Sequence, residues 1–336
     1  MLRKQPDIAA AQQIVGRERN QRACHRQLGR NVVARRRVNS TVGRLLLDMS
    51  SAEEQNKENL TRRDFLCGAA AIVAGVSMLG SEVMSQQSNV PVVKALDNPN
   101  ITHGKVTFKS GADTIDGYLS RPKAKGRYPI VIVVAGNRIS EEYIPNTTAI
   151  LAQGGFIGLA PNIFSLQTDS MSAEEKRRIA TTEITDEHVF RDIQAGIDYL
   201  KKQSFVKRKR VGITGFCFGG RIALMFAARS REVNAVVPFY GTLRLPPEAN
   251  RPTGPFDVVS SIKAAVQGHY ALKDTGIEQA DVKKFFDMLK QQGTKSELYN
   301  YEAEHGFFAY TRPAYNADAA KLAQHRMLEF FEKHLK

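Results

Sequence analysis

The chain is 336 residues long, 42% hydrophobic and 24% charged, an ordinary globular composition with length enough for one large domain and additions. Its formal net charge of +14 suggests nucleic-acid binding until it is divided: residues 1–64 hold 14 Lys and Arg against 7 acids, and the rest hold 34 against 27. That mildly basic remainder has no aromatic interleaving of the kind a single-strand platform uses, so nucleic acid is not expected as a partner.

Residues 1–48 are arginine-rich, acid-poor and without lasting apolar periodicity, and read as a disordered basic extension, with an organelle transit peptide as the competing reading. The stretch "LTRRDFLCGAAAIVAGVSMLG" (60–80) follows. Paired Arg62-Arg63, then Phe65-Leu66, then a Gly/Ala-rich apolar run resemble a twin-arginine export signal over residues 49–85, with Met49 as the expected start. The apolar run is short and weak for a membrane-spanning helix. Cleavage is expected after "EVMS", ending at Ser85, and an uncleaved membrane anchor is the alternative. The expectation is an exported, periplasmic protein handled by the twin-arginine machinery, whose folded domain covers 86–336. Cys24 and Cys67 fall in the leader, so Cys217 is the lone thiol of that domain and no internal disulfide is expected.

From about residue 100 strand and helix patterns alternate. "HGKVTFKS" and "IDGYLSRP" alternate apolar and polar residues and predict an antiparallel hairpin. "PIVIVVAG" (129–136) is a continuous apolar run, expected of a strand buried on both faces. A helix over 146–153, closed by Gly154-Gly155, leads to the strand "FIGLAPN". Val189, Ile193, Ile197 and Leu200 lie at helical spacing within 186–203. The run Lys207-Arg208-Lys209-Arg210 is expected to be a solvated loop before the strand "KRVGITGF". "AVVPFYG", "AAVQGHYALKD" and "SELYNYEAEHGF" are the later strands, with helices over 278–292 and 317–335. Such alternation predicts an α/β fold: a mainly parallel, doubly wound sheet with helices on both faces.

The stretch "VGITGFCFGGRIALMFAARS" (211–230) raises the question of function. A cysteine between strand and helix, flanked by Gly215, Gly219 and Gly220, reads as a nucleophile elbow, because only near-naked neighbours let the two elements approach closely. The helix N-terminus behind the sulfur favours thiolate. Active groups in such sheets gather at strand carboxyl ends. Asp274 in "HYALKD" and His305 in "AEHGFF" stand at two more of them, in the chain order of the α/β-hydrolases. An imidazole takes the thiol proton, and a carboxylate fixes its tautomer. The backbone N–H of Phe218 and one from Asn137 are the candidate oxyanion donors. Taken alone, Asp274 is also a plain turn aspartate and His305 a loop histidine. His269, inside a strand, reads as a satisfied structural residue.

Residues 100–335 resemble the dienelactone hydrolase (carboxymethylenebutenolidase) family through "GYLSRP", "GFIGLAPN", "GFCFGG", "VVPFYG", "HYALKD" and "HGFFAYTRPAYNADAAKLA". The resemblance implies an α/β-hydrolase fold and a Cys217–His305–Asp274 triad acting on enol-lactones or related esters. It implies no metal or organic cofactor. Two departures stand out. Where the family commonly has His-Glu after the second buried strand, this chain has Ala135-Gly136, with Glu141 and Glu142 nearby. The family's substrate-binding arginine after the histidine is Ala309 here, with Arg312 close by. Arg138, Arg177, Arg178 and Arg312 are the candidate anion binders. The function expected is that of a cysteine-dependent ester or lactone hydrolase, as a monomer or small homo-oligomer. The alternatives are an exported binding protein that has lost turnover and a thioesterase or acyl transferase on the same fold.

Overall fold

Two alternating strands open the domain. β1 (Ile101–Ser110) and β2 (Asp113–Pro122) pair antiparallel across a two-residue turn, with Ser110 opposite Asp113. Gly111 holds φ 62° there, the positive φ that tight hairpin turns require. The computed structural model describes residues 94–136, 141–167, 170–245 and 251–336. The basic extension, the export signal and the boundary at residue 85 lie outside the described residues, as do Asn137 and Arg138.

The remaining elements follow in alternation: β3 (Tyr128–Val134), α1 (Tyr143–Gln153), β4 (Ile157–Pro161), α2 (Ala173–Thr182), α3 (Asp186–Lys201), β5 (Val206–Phe216), α4 (Phe218–Arg229), β6 (Val233–Phe239), α5 (Pro255–Val258), β7 (Ala265–Ala271), α6 (Gln279–Gln291), β8 (Ser296–Tyr301) and α7 (Ala317–Leu335). They form one sheet in the order β1-β2-β4-β3-β5-β6-β7-β8. Every pairing from β4 to β8 is parallel, and β2 runs antiparallel to both its neighbours. This is the expected α/β-hydrolase architecture. Ile130 to Val134 are wholly buried, so apolar side chains on both faces of β3 are covered. Among the described residues no helix is long and apolar enough to cross a membrane.

Three local readings need correction. The first helix begins at Tyr143, one turn before the expected 146. The helix α2 is an element beyond the predicted set, and Ser172 Oγ accepts the N–H of Glu175 at its start, the Ser-x-x-Glu spacing of a helix cap. The basic run 207–210 belongs to the extended span of β5 rather than to a loop before it. It bulges, because Tyr128 pairs with Val206 and the next partners are Ile130 and Val211. Pro129, the β3 residue between, has no N–H to donate, so the facing chain is released from the ladder.

One buried ion pair ties the helix that follows Cys217 to its neighbour. Arg221 of α4 donates to Asp186 of α3 through both terminal nitrogens, at 2.8 and 2.6 Å. Its guanidinium also reaches the carbonyl of Thr253 at 2.8 Å.

Candidate active site

The elbow is built by close backbone packing. Cys217, between β5 and α4, holds φ 55° and ψ −116°, a conformation side chains rarely adopt. Its N–H donates to the Phe239 carbonyl at 3.1 Å, and its carbonyl accepts the N–H groups of Gly220 and Arg221. The neighbours must be glycine. A Cβ on Gly215 would lie 2.2 Å from the Gly219 oxygen, and one on Gly219 would lie 2.1 Å from the Val134 oxygen.

The other two candidates arrive from adjacent strand ends. After β7 the chain turns at Asp274, whose Oδ1 accepts the N–H of Gly276 at 2.9 Å. After β8 it turns through Gly306 at φ 89° and presents His305, whose Nδ1 meets Asp274 Oδ2 at 2.6 Å. Lys273 N–H donates to the Ala303 carbonyl, tying the two loops together. The Asp274 side chain is 3% exposed and that of His305 39%, so the carboxylate is sheltered and the ring faces the opening. With Nδ1 engaged, Nε2 is the ring nitrogen left for the hydrogen bond to Cys217.

The electrostatics follow from these contacts. The hydrogen bond to Asp274, then that to Cys217, raise His305 to about 10 against the opposing effect of burial. Burial pushes the Cys217 thiol up. The hydrogen bond and charge of His305, the Phe218 N–H and the Arg312 charge outweigh it, and the thiol ends below its ordinary value. Sulfur and imidazole are thus biased toward a thiolate–imidazolium pair. The Phe218 N–H, a candidate oxyanion donor, is aimed at this sulfur.

The space around the sulfur holds groups that the sequence did not single out. Tyr143 and Tyr240 are both buried, and burial drives each phenol well above its usual range. Tyr240 has φ 37°, and its ring centroid lies 5.0 Å from that of His305. Its place before Gly241 at the end of β6 was the available signal. Arg312 donates to both oxygens of Glu141, at 3.3 and 2.7 Å, so this candidate anion binder already carries a carboxylate. Glu142 pairs instead with Lys94, and Arg178 with Glu183. Nothing is described of the Arg177 side chain. At Gly136 a Cβ would come within 2.6 Å of the Phe216 oxygen and 3.1 Å of Cys217 Cβ, so no side chain fits there as the backbone stands. His269 is fully buried between the Tyr301 hydroxyl at 2.8 Å and Gln267 Oε1 at 3.0 Å, the satisfied histidine expected. Among the described residues no group of three or more His, Cys, Asp and Glu is placed to hold a metal ion.

Comparison with known proteins points the same way. The pattern of the dienelactone hydrolase family matches residues 115–335. A candidate 2-oxo-3-(5-oxofuran-2-ylidene)propanoate lactonase of Bradyrhizobium sp is 34% identical over 221 residues, covering 65% of this chain and 89% of the relative. A candidate carboxymethylenebutenolidase of Yersinia pestis is 30% identical, covering 75% of this chain and 96% of the relative. Among solved structures, a candidate dienelactone hydrolase from Klebsiella pneumoniae superposes with a TM-score of 0.65 at 31% identity, covering 70% of this chain and 99% of that one.

Proposed function

Since the chain belongs to the dienelactone hydrolase family and is a hydrolase of carboxylic ester or lactone bonds, we propose that it cleaves them through Cys217, with His305 as its proton carrier and Asp274 orienting the ring. One observation carries this reading: the unbroken path from Cys217 through His305 to Asp274, assembled from three strand ends.

The thiol proton passes to His305 Nε2, and the sulfur attacks the acyl carbon. The carbonyl electron pair moves onto oxygen, which the Phe218 N–H at the start of α4 is available to stabilise. Collapse re-forms the carbonyl and expels the alkoxide or enolate, which takes the proton from His305. In an enol-lactone the leaving oxygen stays tethered to the acyl group and the released enol becomes a ketone. Water then gives its proton to His305 and attacks the thioester; collapse releases the acid and returns the proton to sulfur. The lowered thiol and the raised imidazole favour transfer of the proton from sulfur to His305 without a further base, which matters because Gly136 offers none.

A panel of enol-lactones, aryl esters and thioesters assayed with wild type and Cys217→Ala tests this. Turnover lost in the variant, with an acyl adduct trapped on Cys217 of the wild type, supports the reading. Faster thioester than ester turnover points to a thioesterase. Ligand-induced stabilisation with no turnover of anything on the panel overturns the reading in favour of a binding protein. Export is also part of the proposal, supported by Arg62-Arg63 and the apolar run behind them. Changing that pair to Lys-Lys should strand the protein in the cytoplasm, and undiminished export would remove the claim.

A further inference from the structure

The bulge in β5 has no part in the chemistry above, yet it forms a distinct feature. Tyr128 N–H donates to the Phe205 carbonyl at 2.9 Å, closing the start of β3 onto β5, and beyond it the four residues Lys207 to Arg210 swing out opposite Pro129. All four are exposed. With Arg127 they line a cavity of about 390 Å³, to which Gln203 and Ser204 add neutral hydrogen-bonding groups. No acid lines it. Among the described residues none of these five cations carries an ion pair, although Lys201, a few residues upstream, is held by Glu232. The cavity sits at the amino ends of β3 and β5. Cys217 follows the opposite end of β5, roughly 20 Å away at ~3.3 Å per strand residue from Val211.

We propose that this cavity is a binding site for a polyvalent phosphate anion, separate from the catalytic centre. Five unneutralised cations repel one another, and a multiply charged anion between them removes that repulsion. Arginine forks match the oxygen geometry of phosphate, and lysine adds point charge. The volume suits a small ligand. No aromatic side chain lines the cavity, so stacked bases are not what it takes. A soluble polyphosphate and a phospholipid headgroup share this chemistry, and the experiment separates them.

The full-length protein is titrated with sodium tripolyphosphate by calorimetry, and separately sedimented with phosphatidylglycerol or phosphatidylcholine vesicles. The variant K207Q/R208Q/K209Q/R210Q is compared with a charge-matched control, K284Q/K290Q/K295Q/K321Q, altered outside the bulge. The bulge lies at the far end of β5 from Cys217 and none of the substituted lysines and arginines belongs to the triad, so ester turnover serves as the check on folding and should stay unchanged. Saturable tripolyphosphate binding that weakens more than about tenfold in the bulge variant alone, as loss of even one charge-assisted bond implies, supports a soluble anion. Sedimentation with phosphatidylglycerol alone, lost only in the bulge variant and without tripolyphosphate binding, supports a headgroup. Neither binding, or equal losses in both variants, overturns the proposal.

Discussion

Asp274 holds His305 by a 2.6 Å contact to Nδ1 while its other oxygen takes the Gly276 N–H. The carboxylate is therefore fixed at both ends, and the ring presents Nε2 to the sulfur. Asp274→Asn keeps the shape but offers Nδ1 an amide that can stabilise the wrong tautomer. Turnover should fall by about 10⁴, as for the same change in a serine triad, with KM and the melting temperature little altered. Steady-state kinetics check this, and a loss of less than tenfold would falsify the assigned role.

The thiol should titrate below an ordinary cysteine. Iodoacetamide labelling of Cys217 is expected to follow one inflection beneath 9.0. His305→Ala leaves burial as the dominant influence, so the inflection should move above 9.0. Arg312→Gln should move it upward by less. His305, raised from 6.5 to about 10, contributes stability that is fully present below 6.5 and lost as pH rises through about 10. The alkaline limb of the stability profile should flatten in His305→Ala. Identical labelling curves in all three proteins would disconnect the sulfur from both side chains.

Acid should unfold the domain partly through His269. Burial, aided by the charge of Arg326, lowers it from 6.5 to about 3, so the native state excludes a proton that the unfolded chain takes up. Its contribution is present above 6.5 and is lost as pH falls toward 3, at about 1.4 kcal/mol per pH unit. His269→Gln should cost about 1–3 kcal/mol at pH 7, because the Tyr301 hydroxyl and the Gln267 amide lose partners, but it should reduce the further loss between pH 7 and pH 5. Urea denaturation at the two pH values measures both effects. An unchanged difference between them would mean another group governs the acid limb.

Glycine substitutions should separate packing from flexibility. At Gly219 an added Cβ meets the Val134 carbonyl oxygen at 2.1 Å, and neither backbone can retreat without breaking the sheet. Gly219→Ala is expected to yield no folded protein. Gly104, in β1, has nothing within 4 Å of the same added atom, and Gly104→Ala should be neutral or stabilising by up to about 1 kcal/mol. Soluble yield and thermal midpoints of the pair decide the matter.

The buried pair between Arg221 and Asp186 gives a further test. Asp186→Asn removes the charge that compensates a fully buried guanidinium, which should cost about 3–5 kcal/mol. Asp186→Asn with Arg221→Met should recover much of that loss in chemical denaturation. A double variant no more stable than the single one would show that the contacts of Arg221, and not its charge, matter most.

What the sequence revealed is what local rules govern. The elbow was legible because Gly215, Gly219 and Gly220 surround one cysteine between an apolar strand and a helix. Asp274 and His305 were legible because they close the next readable strands. The Glu141–Arg312 pair was not, since 171 residues separate its members and only the sheet order brings them together. Tyr143 was hidden because the helix α1 starts a turn earlier than its apolar pattern suggests. The basic bulge was misread because its cause, Pro129, lies on the partner strand. The start of α2 does carry a local signal, the Ser172-x-x-Glu175 spacing of a helix cap.

The elbow also sets selection for chemistry against selection for a robust fold. Cys217 sits at φ 55°, where glycine would rest without strain. Cys217→Gly should therefore raise the melting temperature, by the equivalent of about 1 kcal/mol, while ending turnover. A lineage that no longer needed the reaction would gain robustness by drifting to glycine at this position. On the mechanism proposed above, the sulfur persists only where hydrolysis is worth more to the cell than that gain, and descendants that keep the fold without the activity should be recognisable by a fourth glycine, at the elbow's crest between Gly215 and Gly219.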